Sequence, residues 1–285
     1  MNDAAKTNKG NEPFHEGPDP VKMPVMVGMF DVLGFSNRMR DDGVDKVFSL
    51  YQELIDKVIV QEPMVCFGAR DVGDGTQCPC FYSADIRYVY FSDTIILCMP
   101  LEKLMAGPFA QRCADLVCEA LSMRVPLRGA IALGEAVMHK GSGIFLGDPI
   151  IDAHKLEEAQ EWIGVGFTRS GAWSHFIAEL APIQIIEYHV PLKDDKKDLL
   201  VPLALDWPRR WRDTRKDSVF DLLNGMNPGG KHSGKYENAL AFARYSEEHH
   251  DWHKRPEAGN SFKYLRMAKK EEILTGRNPS SVEGD

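Results

Sequence analysis

Pro24-Val25-Met26-Val27-Gly28-Met29-Phe30-Asp31-Val32-Leu33-Gly34-Phe35-Ser36 is the stretch from which the rest of this 285-residue chain can be read. Residues 25–30 are apolar and read as a buried strand. The strand ends on one carboxylate, Asp31, and the chain then turns through Gly34, Phe35 and Ser36. A carboxylate at the end of an apolar strand loses its hydration unless something pairs with it, and a bound cation is the obvious partner. The backbone N–H groups of a glycine-containing turn, followed by the positive end of a helix, form a concavity suited to phosphate. One segment thus offers a metal ligand and a phosphate cradle.

A second stretch answers it. Arg87-Tyr88-Val89-Tyr90-Phe91-Ser92-Asp93-Thr94-Ile95-Ile96-Leu97-Cys98-Met99-Pro100 is two β-rich runs broken at Ser92-Asp93, a hairpin with the acid at its tip. Mg²⁺ or Mn²⁺ at a nucleotide site is usually held by one or two carboxylates plus substrate phosphates. Asp31 and Asp93 supply such a pair if the hairpin lies beside the first strand. Taken singly, Asp31 also reads as a helix N-cap and Asp93 as a turn residue.

The surrounding chain fits a soluble enzyme. With 44% hydrophobic residues it can bury one substantial core and carry a smaller appendage. No apolar run approaches a membrane span, and the polar start has no signal-peptide core, so a cytoplasmic protein is expected. The net charge of −8 argues against broad nucleic-acid binding. Cys66, Cys78, Cys80, Cys98, Cys113 and Cys118 show no zinc-type pairing, and the last three sit in apolar patterns typical of buried free thiols.

In chain order, residues 1–22 read as a flexible leader. Residues 41–60 read as an amphipathic helix whose apolar face holds Val44, Val47, Phe48, Tyr51, Leu54, Ile55 and Val58. Residues 61–86 read as a long irregular connection. A helix over residues 101–123 and a strand over 126–139 follow the hairpin, then a short helix over 152–162 and a strand over 182–190. Strand, helix, hairpin, helix, strand is the order of a ferredoxin-like βαββαβ unit in the α+β class, with helices on one face of an antiparallel sheet. Residues 23–192 are expected to form this core. Residues 193–285, with a Gly-rich break over 227–234 and a helical stretch over 236–245, read as an appended helical subdomain.

Four segments resemble the class III nucleotidyl cyclases. The first is Phe30-Asp31-Val32-Leu33-Gly34-Phe35-Ser36, similar to the family's Phe-x-Asp-Ile-x-Gly-Phe-Ser/Thr, and the second is the Ser92-Asp93 hairpin tip, where the family has Gly-Asp. The third is Arg128-Gly129-Ala130-Ile131-Ala132-Leu133-Gly134-Glu135. The fourth is Gly147-Asp148-Pro149-Ile150-Ile151-Asp152-Ala153-His154-Lys155-Leu156-Glu157. The resemblance spans roughly residues 24–190. It implies that Asp31 and Asp93 hold two divalent cations, Mn²⁺ or Mg²⁺, that the Val32 carbonyl adds a ligand, and that the backbone of Gly34, Phe35 and Ser36 binds the phosphates of a nucleoside triphosphate. It also implies a homodimer with active sites at the interface.

The departures narrow the expectation. Positions that usually read a purine in this family hold Val89 and Ile144, neither of which can hydrogen-bond a base edge. The transition-state Asn and Arg positions hold Ile151 and Lys155. Lysine neutralises phosphate charge without the bidentate fork of arginine, and as an alternative Lys155 is a solvated helix residue. Asp152 reads as a helix cap or a ribose ligand, the cap being preferred. Metal acids kept and purine readers lost resemble the pyrimidine cyclases of bacterial Pycsar antiphage defence, which make cyclic UMP or cyclic CMP. Such a messenger acts on its effector as a small molecule, without direct protein contact. Tyr51, directed inward by its periodicity, is then a candidate for base binding, or else a core aromatic. A purine-using cyclase and a catalytically silent nucleotide-binding module remain the alternatives.

Overall fold

A computed structural model describes residues 22–60, 64–71, 77–83, 86–101, 106–139, 144–171, 184–199 and 201–251. Its centre is strand β1 (Lys22–Val32), antiparallel to β5 (Thr94–Pro100) on one side and to β6 (Leu127–His139) on the other; β4 (Arg87–Phe91) closes the hairpin with β5. The four run in space as β4, β5, β1, β6. With α2 (Val44–Ile55) and α3 (Ala106–Ser122) between them in sequence, this is the expected βαββαβ arrangement within an α+β fold. Beyond β6 the sheet continues through β8 (Gly164–Phe167), parallel to β6, and then β10 (Ala204–Leu205) and β9 (Ile185–Ile186), while β7 (Ile144–Gly147) pairs with the far end of β6.

Alternation along β1 sends its two faces into two cores. Met26, Phe30 and Val32 join Tyr51, Leu54 and Val58 of the α2 region and the apolar face of α3. Val25 and Val27 join Ala130, Ala132 and Ala136 of β6 under Ala153 and Leu156 of α4 (Asp148–Ala159). Helices therefore cover both faces of the sheet, where the sequence pattern leads one to expect one. The alanines of β6 face α4 and leave room for close helix-to-sheet packing. On the opposite face Phe30 lies across Gly129, its register partner, where any Cβ would come within 2.6 Å of the ring.

Several local expectations are corrected. Residues 61–86 are not an irregular connection, since β2 (Met64–Asp71) and β3 (Gln77–Ser83) form a separate antiparallel hairpin. The single helix expected over 41–60 is α1 (Phe35–Asp42), α2 and a π-helical turn, Asp56–Val60; Gly43 at φ 80° separates α1 from α2. Val44 and Phe48 are exposed, because α2 has solvent at its first turns and meets the core only from Val47 and Tyr51 onward. Helix α4 starts at Asp148, so Asp152 lies in its second turn and does not cap it; Gly147 holds that position. The strand expected over 182–190 is reduced to Ile185–Ile186 among the described residues.

The C-terminal part supplies more than helices. Its Ala204–Leu205 segment is a strand of the main sheet, and α5 (Trp207–Thr214), α6 (Val219–Met226) and α7 (Ser233–Glu248) follow. Trp207, Trp211, Leu223 and Phe242 are buried in the same core as α3. Phe242 meets Trp162 edge-on at 4.8 Å between ring centroids, and Tyr188 stacks on the other part of that cluster. Ion pairs from Arg210 to Asp115 and from Arg215 to Glu119 tie the segment to α3.

Candidate active site

The carbonyl end of the site is built by two backbone facts. Asp31 pairs in register with Thr94, and the Val32 N–H donates to the Asp93 carbonyl at 2.9 Å. The hairpin tip is thereby fixed against the end of β1, and Asp31, Val32 and Asp93 converge. Ser92 has φ 57°, the left-handed conformation that a two-residue hairpin loop demands; this explains why glycine suits the position and why serine there is strained. Asp31 is half-buried, and its carboxyl is held above the usual range, first by loss of hydration and then by the negative charge of Asp93, with Arg128 opposing.

The turn after β1 has the expected form. Gly34 sits at φ 78° and precedes α1 as its N-cap, which removes Asp31 from that role. The N–H groups of Asn37 and Arg38 fold back onto the Gly34 carbonyl. Those of Phe35 and Ser36 are first-turn donors with no intrahelical acceptor.

The partner of Asp31 within the chain is Arg128, a residue that the motif contains but to which sequence reading gave no role. Its position directly across from Asp31 in the β1–β6 register puts both side chains on the α4 face. The guanidinium donates to Asp31 Oδ2 at 3.1 Å, to Glu157 Oε1 at 2.7 Å and to the Gln160 carbonyl at 2.9 Å. One cation thus stands between two carboxylates. Glu157 is the more buried of the two, and its carboxyl is pushed up to about 7, mainly by burial, with Arg128 opposing and Asp31 adding to the rise. Register to Asp31 is the signal that points to Arg128, and it is visible only once the strands are paired.

Tyr51 lies inside the core at 4% exposure, with its ring against Phe35 and Tyr90. Among the described residues its hydroxyl has no hydrogen-bond partner. Burial, then the charges of Asp93 and Asp31, hold the phenol in its neutral form. It is a core aromatic whose phenol feels the charges of Asp93 and Asp31. Lys155 is exposed on α4, and the acid it faces is Asp152, whose carboxyl is raised by burial and lowered by Lys155. Ile151 is 51% exposed on the same helix. Val89 is partly exposed on β4, and Ile144 opens β7.

Two carboxylates and a backbone carbonyl are oxygen donors of the kind hard divalent cations take. Asp31, Val32 and Asp93 fit such an ion if substrate phosphate completes the shell. Among the described residues no group of three or more acidic, His or Cys side chains gathers to hold a metal without substrate.

No family model matches the chain, and no curated protein matches it. Among solved structures it is similar to the catalytic core of a rhodopsin-guanylyl cyclase with converted specificity in complex with ATPαS, at 11% identity over 65% of this chain and 96% of that one, with a TM-score of 0.43. It is also similar to a class III adenylyl cyclase-like ATP-binding protein from Pseudomonas aeruginosa, at 10% identity over 80% of this chain and 44% of that one, with a TM-score of 0.37. Likeness of that order leaves the chemistry to be argued from the residues of this chain. No helix among the described residues is long and apolar enough to cross a membrane.

Proposed function

We propose that the chain is a nucleotidyl cyclase that converts UTP, or else CTP, to the 3′,5′-cyclic monophosphate and pyrophosphate. The observation that carries this reading is the convergence of Asp31, Val32 and Asp93 beside the free first-turn N–H groups of α1. In the reaction the 3′ oxygen bonds to the α-phosphorus, the bond from that phosphorus to pyrophosphate breaks, and the hydroxyl proton leaves to solvent. Asp31, Asp93 and the Val32 carbonyl would hold two divalent cations, which would supply charge stabilisation to the reacting phosphate. The Phe35 and Ser36 N–H groups orient the phosphates, and Arg128 keeps the Asp31 carboxylate aimed at the site through Oδ2.

The pyrimidine assignment rests on Val89 and Ile144, which offer a base no hydrogen bond; Tyr51, whose buried hydroxyl has no hydrogen-bond partner among the described residues, is the candidate to meet a smaller base. A homodimer is part of the reading. Lys155 of the partner subunit reaches the phosphates across the interface, and Ile151 on the same helix is an exposed apolar side chain that a second copy would cover. The cyclic nucleotide is then a diffusible second messenger in antiphage defence, acting on an effector without direct contact with this protein, in the cytoplasm. Mixing Asp31→Ala and Lys155→Ala chains should restore about one working site per mixed dimer; no restoration removes the cross-chain role of Lys155.

A second reading is favoured by one observation. The carboxylate of Asp31 already has a cation, Arg128, against it, as a catalytically silent nucleotide-binding module would allow. Incubation of the purified protein with ATP, GTP, CTP and UTP in Mn²⁺, with mass identification of products, separates the readings. A cyclic pyrimidine monophosphate supports the proposal, a cyclic purine overturns the base assignment, and unreacted nucleotide with all four overturns the enzyme.

A further inference from the structure

The C-terminal helix α7 reaches the site already described, in the same chain. The Asn238 side chain donates to the Glu161 carbonyl at 2.7 Å, and the neighbouring Gln160 carbonyl accepts from Arg128 at 2.9 Å. Residues three apart share a helix face, so Lys235 stands one turn before Asn238 on the side directed at Arg128 and Asp31. Tyr236, next to it, feels the charge of Arg38 on α1. Lys235 is half-buried, and among the described residues no hydrogen bond or ion pair holds its ammonium. Its charged neighbours from the packed elements are Arg128 and Lys193, which repel it, and Glu161 and Asp31, which attract it; burial and Arg128 together leave its pKa lowered.

A half-buried ammonium beside a guanidinium is unfavourable unless anionic charge offsets both. Asp31 and Glu157 already share Arg128. Without metal the carboxylates around Lys235 and Arg128 match these cations, and two divalent ions at Asp31 and Asp93 would turn the local balance positive. A polyphosphate is the ligand that would offset it. We infer that Lys235 is a phosphate-binding residue of the Asp31 site, so that α7 completes the triphosphate subsite from within the same chain. The spacing Gly229-x-x-x-x-Gly234-Lys235 has the length of a phosphate-binding loop. That loop, however, follows helix α6 and not a strand, and Tyr236 stands where a serine or threonine hydroxyl would be needed. The inference therefore rests on where α7 delivers the ammonium. It also rests on the reading of the Asp31 site as a triphosphate site.

The test is calorimetric titration of the full chain with inorganic tripolyphosphate in Mg²⁺, comparing wild type with Lys235→Gln, Lys235→Arg and Lys231→Gln, alongside kinetics with UTP and CTP. Lys231 is an exposed lysine one turn away and serves as a control for general charge. The expected result is at least a tenfold loss of tripolyphosphate affinity in Lys235→Gln, the worth of one charge-assisted hydrogen bond. Lys235→Arg should recover most of it, and Lys231→Gln should match wild type, with thermal unfolding unchanged in all three. Equal affinity in Lys235→Gln and wild type overturns the inference, as does an equal loss in Lys231→Gln. Lysine-dependent tripolyphosphate binding without turnover of any nucleotide leaves Lys235 in place and sinks the cyclase reading. Turnover with no tripolyphosphate binding sinks Lys235 alone.

Discussion

The two ends of this molecule are built on opposite rules. Around Trp162, Tyr188, Phe242 and Trp207 the C-terminal helices close on the sheet through stacked and edge-on rings. Most polar groups there are absorbed: Asp206 caps α5 and accepts from the Ser246 hydroxyl, and the Trp211 indole donates to the Asp217 carbonyl, while the Trp207 indole N–H is buried with no partner among the described residues. Around Asp31 the reverse holds. Three carboxylates, Asp31, Asp93 and Glu157, meet Arg128 and Lys235, and the Tyr51 hydroxyl is buried with no partner among the described residues. Unsatisfied polar groups cost stability, and they persist where a ligand is to be bound. The contrast separates the end that holds the fold from the end that, in the proposed reading, takes the substrate.

The largest effect should come from the apolar end. Phe242→Ala removes a fully buried ring between Trp162 and Tyr188 and should cost about 3–5 kcal/mol in denaturant unfolding. A loss under about 1 kcal/mol would mean that α7 is not part of the core, and the contrast would fail on its structural side.

Next comes Glu157, where the site imposes a cost on the fold. Its carboxyl is raised to about 7 from an ordinary 4.5. Below about pH 4.5 it is protonated both folded and unfolded and contributes nothing. Between 4.5 and 7 the unfolded chain releases the proton while the folded one keeps it, so stability falls as pH rises, and above 7 the penalty is constant. Glu157→Gln keeps an acceptor for Arg128 and removes the titration. Relative to the variant, wild type should lose about 3 kcal/mol across that window. Parallel pH profiles for the two proteins would show that Glu157 is no liability.

What could be read from the sequence follows the same division. The hairpin acid, the β1 acid and the turn at Gly34 are written in local order, because each depends on residues within a few positions of it. The βαββαβ order was legible for the same reason. Arg128 and Lys235 were not, since one depends on strand register and the other on the docking of a helix some two hundred residues after Asp31. The β2–β3 hairpin was missed because Gly, Pro and Asp in residues 61–86 blur the alternation. Val44 and Phe48 were misplaced because periodicity reports a face without saying where along a helix the core begins.

The smallest stability effect is expected at Tyr51. Tyr51→Phe deletes a buried hydroxyl that has no partner, so stability should change by less than about 1 kcal/mol and in the favourable direction. If that hydroxyl meets the base, the KM for the pyrimidine nucleotide should rise several-fold while kcat moves little. A clear loss of stability would instead reveal a partner for the hydroxyl and remove it from base binding.

The convergence of Asp31, Val32 and Asp93 is tested most directly by Mn²⁺ binding, followed by paramagnetic resonance in the presence of tripolyphosphate, for wild type, Asp31→Asn and Asp93→Asn. The account predicts ordered Mn²⁺ in wild type and at least tenfold weaker binding in each variant, with folding intact. Mn²⁺ binding that is the same in all three proteins would contradict it, and would leave Arg128 as the only cation that Asp31 was made for.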